Sequence, residues 1–145
     1  ITIKHIVRMN GDIAILIAQF FFAAGALFLK KLAQATNPFL ANAVVALLGT
    51  IAMIPLFLYF SKEIKISSHE LLWAILVSVL SLVIGGALNT YGLSKIPLSH
   101  AALLVLAYPF FATLLAVLFL GEAITTKFAV GSFFIGVGYL VLTVL

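Results

Sequence analysis

A few polar side chains sit inside long apolar stretches, and these are the residues that could do chemistry. Gln19, Asn42 and Asn89 are amides within such stretches; Tyr108-Pro109 stands in the middle of another, with His100 near its start and Glu122 at its end. An amide donates and accepts hydrogen bonds at once, so each of the three suits either a polar solute or a neighbouring helix. Asn42 lies close to a helix start, which favours the helix-contact role there. Pro109 has no N–H and frees a carbonyl one turn back. Broken backbone at that depth lines a cavity or a packing kink. Tyr108 beside it could stack on a solute or hydrogen-bond it. His100 lies about two turns before Tyr108 on roughly the same side of the helix. It reads as a cavity-facing ionisable group or as an interfacial histidine. Glu122, at the interface, suits a gating or structural role.

These residues do not form a catalytic group. Paired carboxylates are missing from the apolar stretches, as is any Ser/His/Asp set. His5, His69 and His100 fall in separate segments without metal-ligand spacing. The chain has no cysteine, which removes disulfides and thiolate chemistry. No enzyme activity, metal or cofactor is expected.

The elements that must position these residues are membrane helices. Five stretches free of Asp, Glu, Lys and Arg, roughly 17 to 30 residues each, fill nearly all of the 145 residues. About 20 apolar residues cross a bilayer as a helix. Hydrophobic residues make up 65% and charged residues 8%, against about 25% charged in a soluble domain. The expected fold is an all-α integral membrane bundle of five spans, about 13–33, 38–60, 70–93, 97–120 and 127–145, forming a single domain over 1–145. The basic residues stand singly or in pairs at span ends, so a nucleic-acid surface is not expected.

Local signals mark the span ends. Asp12 suits an N-cap, Asn37-Pro38 a cap followed by proline at the first helical position, and Ser67 with Glu70 a capping box. Lys30 and Lys31 suit the end of the first span, and Gly121 a left-handed C-terminal stop. Pro55 predicts a kink. Small or polar residues recur at helical spacing as Gln19, Ala23, Ala26 and Lys30; as Ser78, Ser81, Gly85, Asn89 and Gly92; and as Ser132, Gly136, Tyr139 and Thr143. Such faces let helices approach closely. Gly85, Ser132 and Gly136 on these faces, and Gly138 near them, are the expected packing or dimer positions.

Orientation is weakly encoded. The N-terminal side carries Lys4, Arg8, Lys62, Lys65 and Lys127, and the other side Lys30, Lys31 and Lys95, five against three. The positive-inside rule then puts the N-terminus in the cytoplasm. A start at Met9 would leave three against three, and dual insertion is then expected.

Tyr91-Gly92-Leu93-Ser94-Lys95-Ile96-Pro97 leads into Ala101-Ala102-Leu103-Leu104, then Tyr108-Pro109, Leu118-Phe119-Leu120-Gly121-Glu122, Gly131 and Gly136-Val137-Gly138-Tyr139. This order resembles the EamA repeat of the drug/metabolite transporter superfamily and, more distantly, the small multidrug resistance family. The resemblance is specific from Tyr91 onward; the first two spans match in character. It implies half of an inverted-repeat transporter in a prokaryotic cytoplasmic membrane, moving a small metabolite or drug-like solute by alternating access. Most EamA proteins resemble two fused repeats. A single one implies a homodimer, possibly inverted, or a fragment of a two-repeat protein. Gln19, Asn89, His100, Tyr108 and Pro109 become the substrate-binding candidates. The small multidrug resistance family has a proton-binding glutamate near the depth of Gln19, and an amide there cannot exchange a proton. A non-transporting membrane subunit, or a lipid-linked sugar flippase subunit, are the alternative readings.

Overall fold

The computed structural model describes residues 11–61 and 66–144, with Asp12 and residues 142–144 as backbone only. The expected cap at Asp12, the side chain of Thr143, the start at Met9 and the charges Lys4, Arg8, Lys62 and Lys65 lie outside the described side chains. All regular structure among the described residues is helical. It comprises α1 Gly11–Ala35, α2 Pro38–Phe60, α3 Ser68–Lys95, α4 Leu98–Leu120 and α5 Thr126–Val144. The first four are long and apolar enough to cross a bilayer, and α5 is a shorter apolar helix. The chain is an integral, multi-pass membrane protein.

The helix ends follow their local chemistry. The Asn37 side chain accepts from the Phe39 and Leu40 N–H groups at 2.9 and 3.4 Å, with Pro38 in the first turn. Ser67 and Glu70 make both bonds of a capping box: the Ser67 N–H donates to Glu70 Oε2 at 2.6 Å, and the Glu70 N–H to Ser67 Oγ at 3.4 Å. Gly121 takes φ 66°, a left-handed conformation that stops α4, and the Ala116 carbonyl accepts from the N–H groups of both Gly121 and Glu122. Pro55 sits within α2, which continues through it.

Two helices change their winding. In α3, ordinary α-turns at Ser68–Val77 give way to wide π-turns at Ser78–Gly85 and return at Gly86–Lys95. In α4, a tight 3₁₀ turn at Val105–Ala107 precedes Tyr108–Leu115, and π-turns close the helix at Ala116–Leu120. The 3₁₀ turn has a local cause. Pro109 cannot donate to the Val105 carbonyl four residues back, and the Tyr108 N–H bonds to it instead.

The chain divides into two compact units, Ile1–Lys95 and Ile96–Leu145. In the first, the Gly86–Lys95 part of α3 packs against both α1 and α2. The small core there consists of Ala33, Ala41, Thr90 and Leu93. In the second, α4 and α5 flank a groove, with Gly136 facing Phe110.

Candidate functional site

The best-built polar site of the first unit centres on Asn42. Its amide Nδ2 donates to the Leu82 carbonyl at 3.1 Å. Thr90 Oγ1 lies 3.4 Å from Asn42 Oδ1 and donates to the Gly86 carbonyl at 2.8 Å. The reason lies in the winding of α3. In an α-helix the Gly86 N–H would serve Leu82, four residues back. Here it bonds the Ser81 and Val83 carbonyls and passes over Leu82. The Asn42 amide supplies the donor that the backbone withholds. Thr90 is fully buried, and a Cβ on Gly86 would stand 2.8 Å from Asn42 Oδ1. Only glycine leaves room for the amide at that approach.

A second cross-helix contact closes the same end of the unit. Lys30 Nζ donates to the Leu93 carbonyl at 2.8 Å, so this cation of α1 serves the C-terminus of α3. Nearby, the Phe39 and Tyr91 rings stack with centroids 5.9 Å apart, and Lys95 Nζ lies 5.4 Å from the centre of the Tyr91 ring.

Gln19 and Asn89 stand in contrast. Both side chains are exposed within this unit and make no hydrogen bond to any described residue. Amides on membrane helices need partners. These two are available to a solute or to another chain; Asn42 is committed to α3. Gly85 is exposed, and a Cβ on it would meet the Leu80 carbonyl at 3.1 Å.

The packed face of α3 differs from the one its spacing predicts. Gly86, Thr90 and Leu93 face α1 and α2, whereas Ser78, Ser81, Gly85 and Asn89 are exposed, with Gly92 half-buried. The contact face is displaced by about one residue from the expected stripe, and the π-turns break the stripe's helical period. In α1, Ala26 and Lys30 are half-buried but Gln19 and Ala23 are exposed.

In the second unit, Tyr108 is 72% exposed directly after the 3₁₀ turn, Pro109 is half-buried behind it, and His100 is exposed in the first turn of α4. The groove beside α4 and α5 has a volume of about 570 Å³; Phe110, Phe111, Phe133, Ser132, Gly136 and Tyr139 are among its walls. Ser132, Gly136 and Tyr139 are half-buried, and Gly136 gives Phe110 space at 3.7 Å from its missing Cβ. Gly138 is exposed, and a Cβ on it would meet nothing within 4 Å. Glu122 lines a smaller hollow of about 270 Å³ with Thr113 and Thr125. Among the described residues no His, Asp and Glu group is arranged to hold a metal ion.

Thr90 and Gly86 are the features that sequence spacing misses; Lys30 stands on the predicted stripe of α1, and only its acceptor, the Leu93 carbonyl, does not follow from spacing. The available signal was the i, i+4 pair Gly86–Thr90 beside the better-marked Gly85–Asn89 pair. Residues 9–144 match the EamA-like transporter family. No curated protein and no solved structure matches the chain significantly. With its membrane-length apolar helices and a family match over nearly its whole length, the chain belongs to the EamA-like family of membrane transporters.

Proposed function

We propose that this chain is one repeat of a solute transporter that works by alternating access, paired with a second copy of itself in a cytoplasmic membrane. The family match over residues 9–144 is what supports this reading. Inverted repeats place the transport site at their shared interface near the midplane, so one repeat needs another. The amides Gln19 and Asn89, which bond no described side chain or carbonyl, and the exposed Tyr108 are polar groups that a transport site can use. The cargo is a small metabolite or drug-like solute. With Gln19 in place of an in-span carboxylate, coupling falls to facilitated exchange or to His100.

The test is uptake into proteoliposomes across a panel of amino acids, sugars, nucleosides and organic cations. Asn89→Leu and Tyr108→Leu are each expected to lower uptake of the accepted solute at least tenfold while leaving the amount of inserted protein unchanged. Uptake by the parent chain with both variants at parental rates would remove these residues from the site. A parent chain inert toward the whole panel, yet needed for a partner's insertion, would favour a non-transporting subunit.

A further inference from the structure

We propose that α3 has two registers and that Asn42 is the latch holding the one seen here. This does not depend on the transport reading, since it concerns the winding of one helix. In an uninterrupted α-helix, Ser78, Ser81, Gly85, Asn89 and Gly92 follow one another at steps of three and four and share a face. The π-turns at Ser78–Gly85 break that face. Each residue accommodated by wider turns rotates what precedes it by about 100°. Ser78 and Ser81 are therefore turned away from Asn89.

The wide register exists because a side chain satisfies what the backbone leaves open. A carbonyl passed over by the backbone is costly in hydrocarbon. The Gly86 N–H passes over the Leu82 carbonyl, and Asn42 Nδ2 bonds it at 3.1 Å. Three further features hold the amide in place: the missing side chain of Gly86, the Thr90 hydroxyl 3.4 Å from Asn42 Oδ1, and the complete burial of Thr90. The other half of the helix is free to respond. Every residue of α3 from 68 to 85 is exposed, none buried, so little packing there opposes a rotation. Without the latch, the Gly86 N–H returns to Leu82, the segment rewinds as α-helix, and the polar residues of α3 form one continuous stripe. The two states differ in whether α3 presents a broken or an unbroken polar face.

The register can be read as a phase. The chain has no cysteine, so single nitroxide labels placed at successive positions from Leu71 to Ser94 in liposomes report oxygen accessibility with the period of the helix. The parent is expected to show a phase offset of about 100° between the labels before Ser78 and those after Gly85. In the Asn42→Leu background the offset is expected to vanish. Gly86→Ala keeps the asparagine but displaces its amide, and it carries the same expectation if Asn42→Leu does not insert as a helical protein. Absence of an offset in the parent, or an offset retained in an inserted variant of either kind, overturns the proposal.

Discussion

The two ends of the α1–α3 unit are built differently. At the end formed by the α1–α2 turn and the C-terminus of α3, Ala33, Ala41, Thr90 and Leu93 are buried, and Lys30 and Asn42 each bond a carbonyl of α3. At the other end, every residue of α2 from 47 to 60 and of α3 from 68 to 85 is exposed. The difference follows which side chains pack and bond across helices. The closed end uses alanine, glycine and threonine, which let backbones approach. The open end carries Leu47, Leu48, Phe57, Tyr59, Leu72 and Trp73, all exposed. Helix association in a membrane has little hydrophobic drive of its own; the closed end adds the bonds from Lys30 and Asn42, whereas Ser78, Ser81 and Gly85 at the open end stay exposed. The open end is where a second copy would have most to contribute.

Matched substitutions at the two ends sharpen this contrast. Ala33→Leu or Ala41→Leu, at positions 2% and 1% exposed, overfills the closed end. Either is expected to destabilise the protein by about 3 kcal/mol in detergent unfolding. Ala52→Leu, at an exposed position of the open end, is expected to stay within about 0.5 kcal/mol. Equal losses at the two ends would erase the distinction. Next in size, Lys30→Met removes the donor to the Leu93 carbonyl and is expected to cost about 1–2 kcal/mol in the same assay. Unchanged stability would mean that Lys30 serves through its alkyl chain alone.

Smaller effects belong to the helix ends. Ser67→Ala removes the capping hydroxyl at the start of α3, and amide exchange of residues 68–71 is expected to quicken about fivefold, with no change at Gly86–Lys95. Acceleration of both regions together would mean that α3 behaves as one rigid rod. Smallest is Lys95→Gln, which removes the cation beside the Tyr91 ring; a loss of about 0.5 kcal/mol is expected, and it should be insensitive to any change at the open end.

Much of the architecture was legible because membrane helices announce themselves by length and by the charges that end them. The four membrane-length helices and the shorter apolar fifth, the Asn37-Pro38 start, the Ser67–Glu70 box and the stop at Gly121 all depend on residues a few positions apart. The site was less legible. Spacing of 3.6 residues selected Gly85 and Asn89, but the packed face carries Gly86 and Thr90. A π-segment follows from no local rule here; it is held by Asn42, 40 residues from its acceptor. Asn42 reads as a helix contact because it stands near a helix start, and that location is what brings it to the closed end; its acceptor in α3 does not follow from spacing. The 3₁₀ turn before Pro109, by contrast, follows from the missing N–H of one residue.

The pairing of two repeats is tested most directly by counting chains in the active particle. Native mass spectrometry of the protein in lipid nanodiscs, prepared from the same sample that supports uptake in proteoliposomes, gives that count. Two chains per particle are predicted. Transport by a preparation that contains one chain per particle, with no partner protein, would contradict the account.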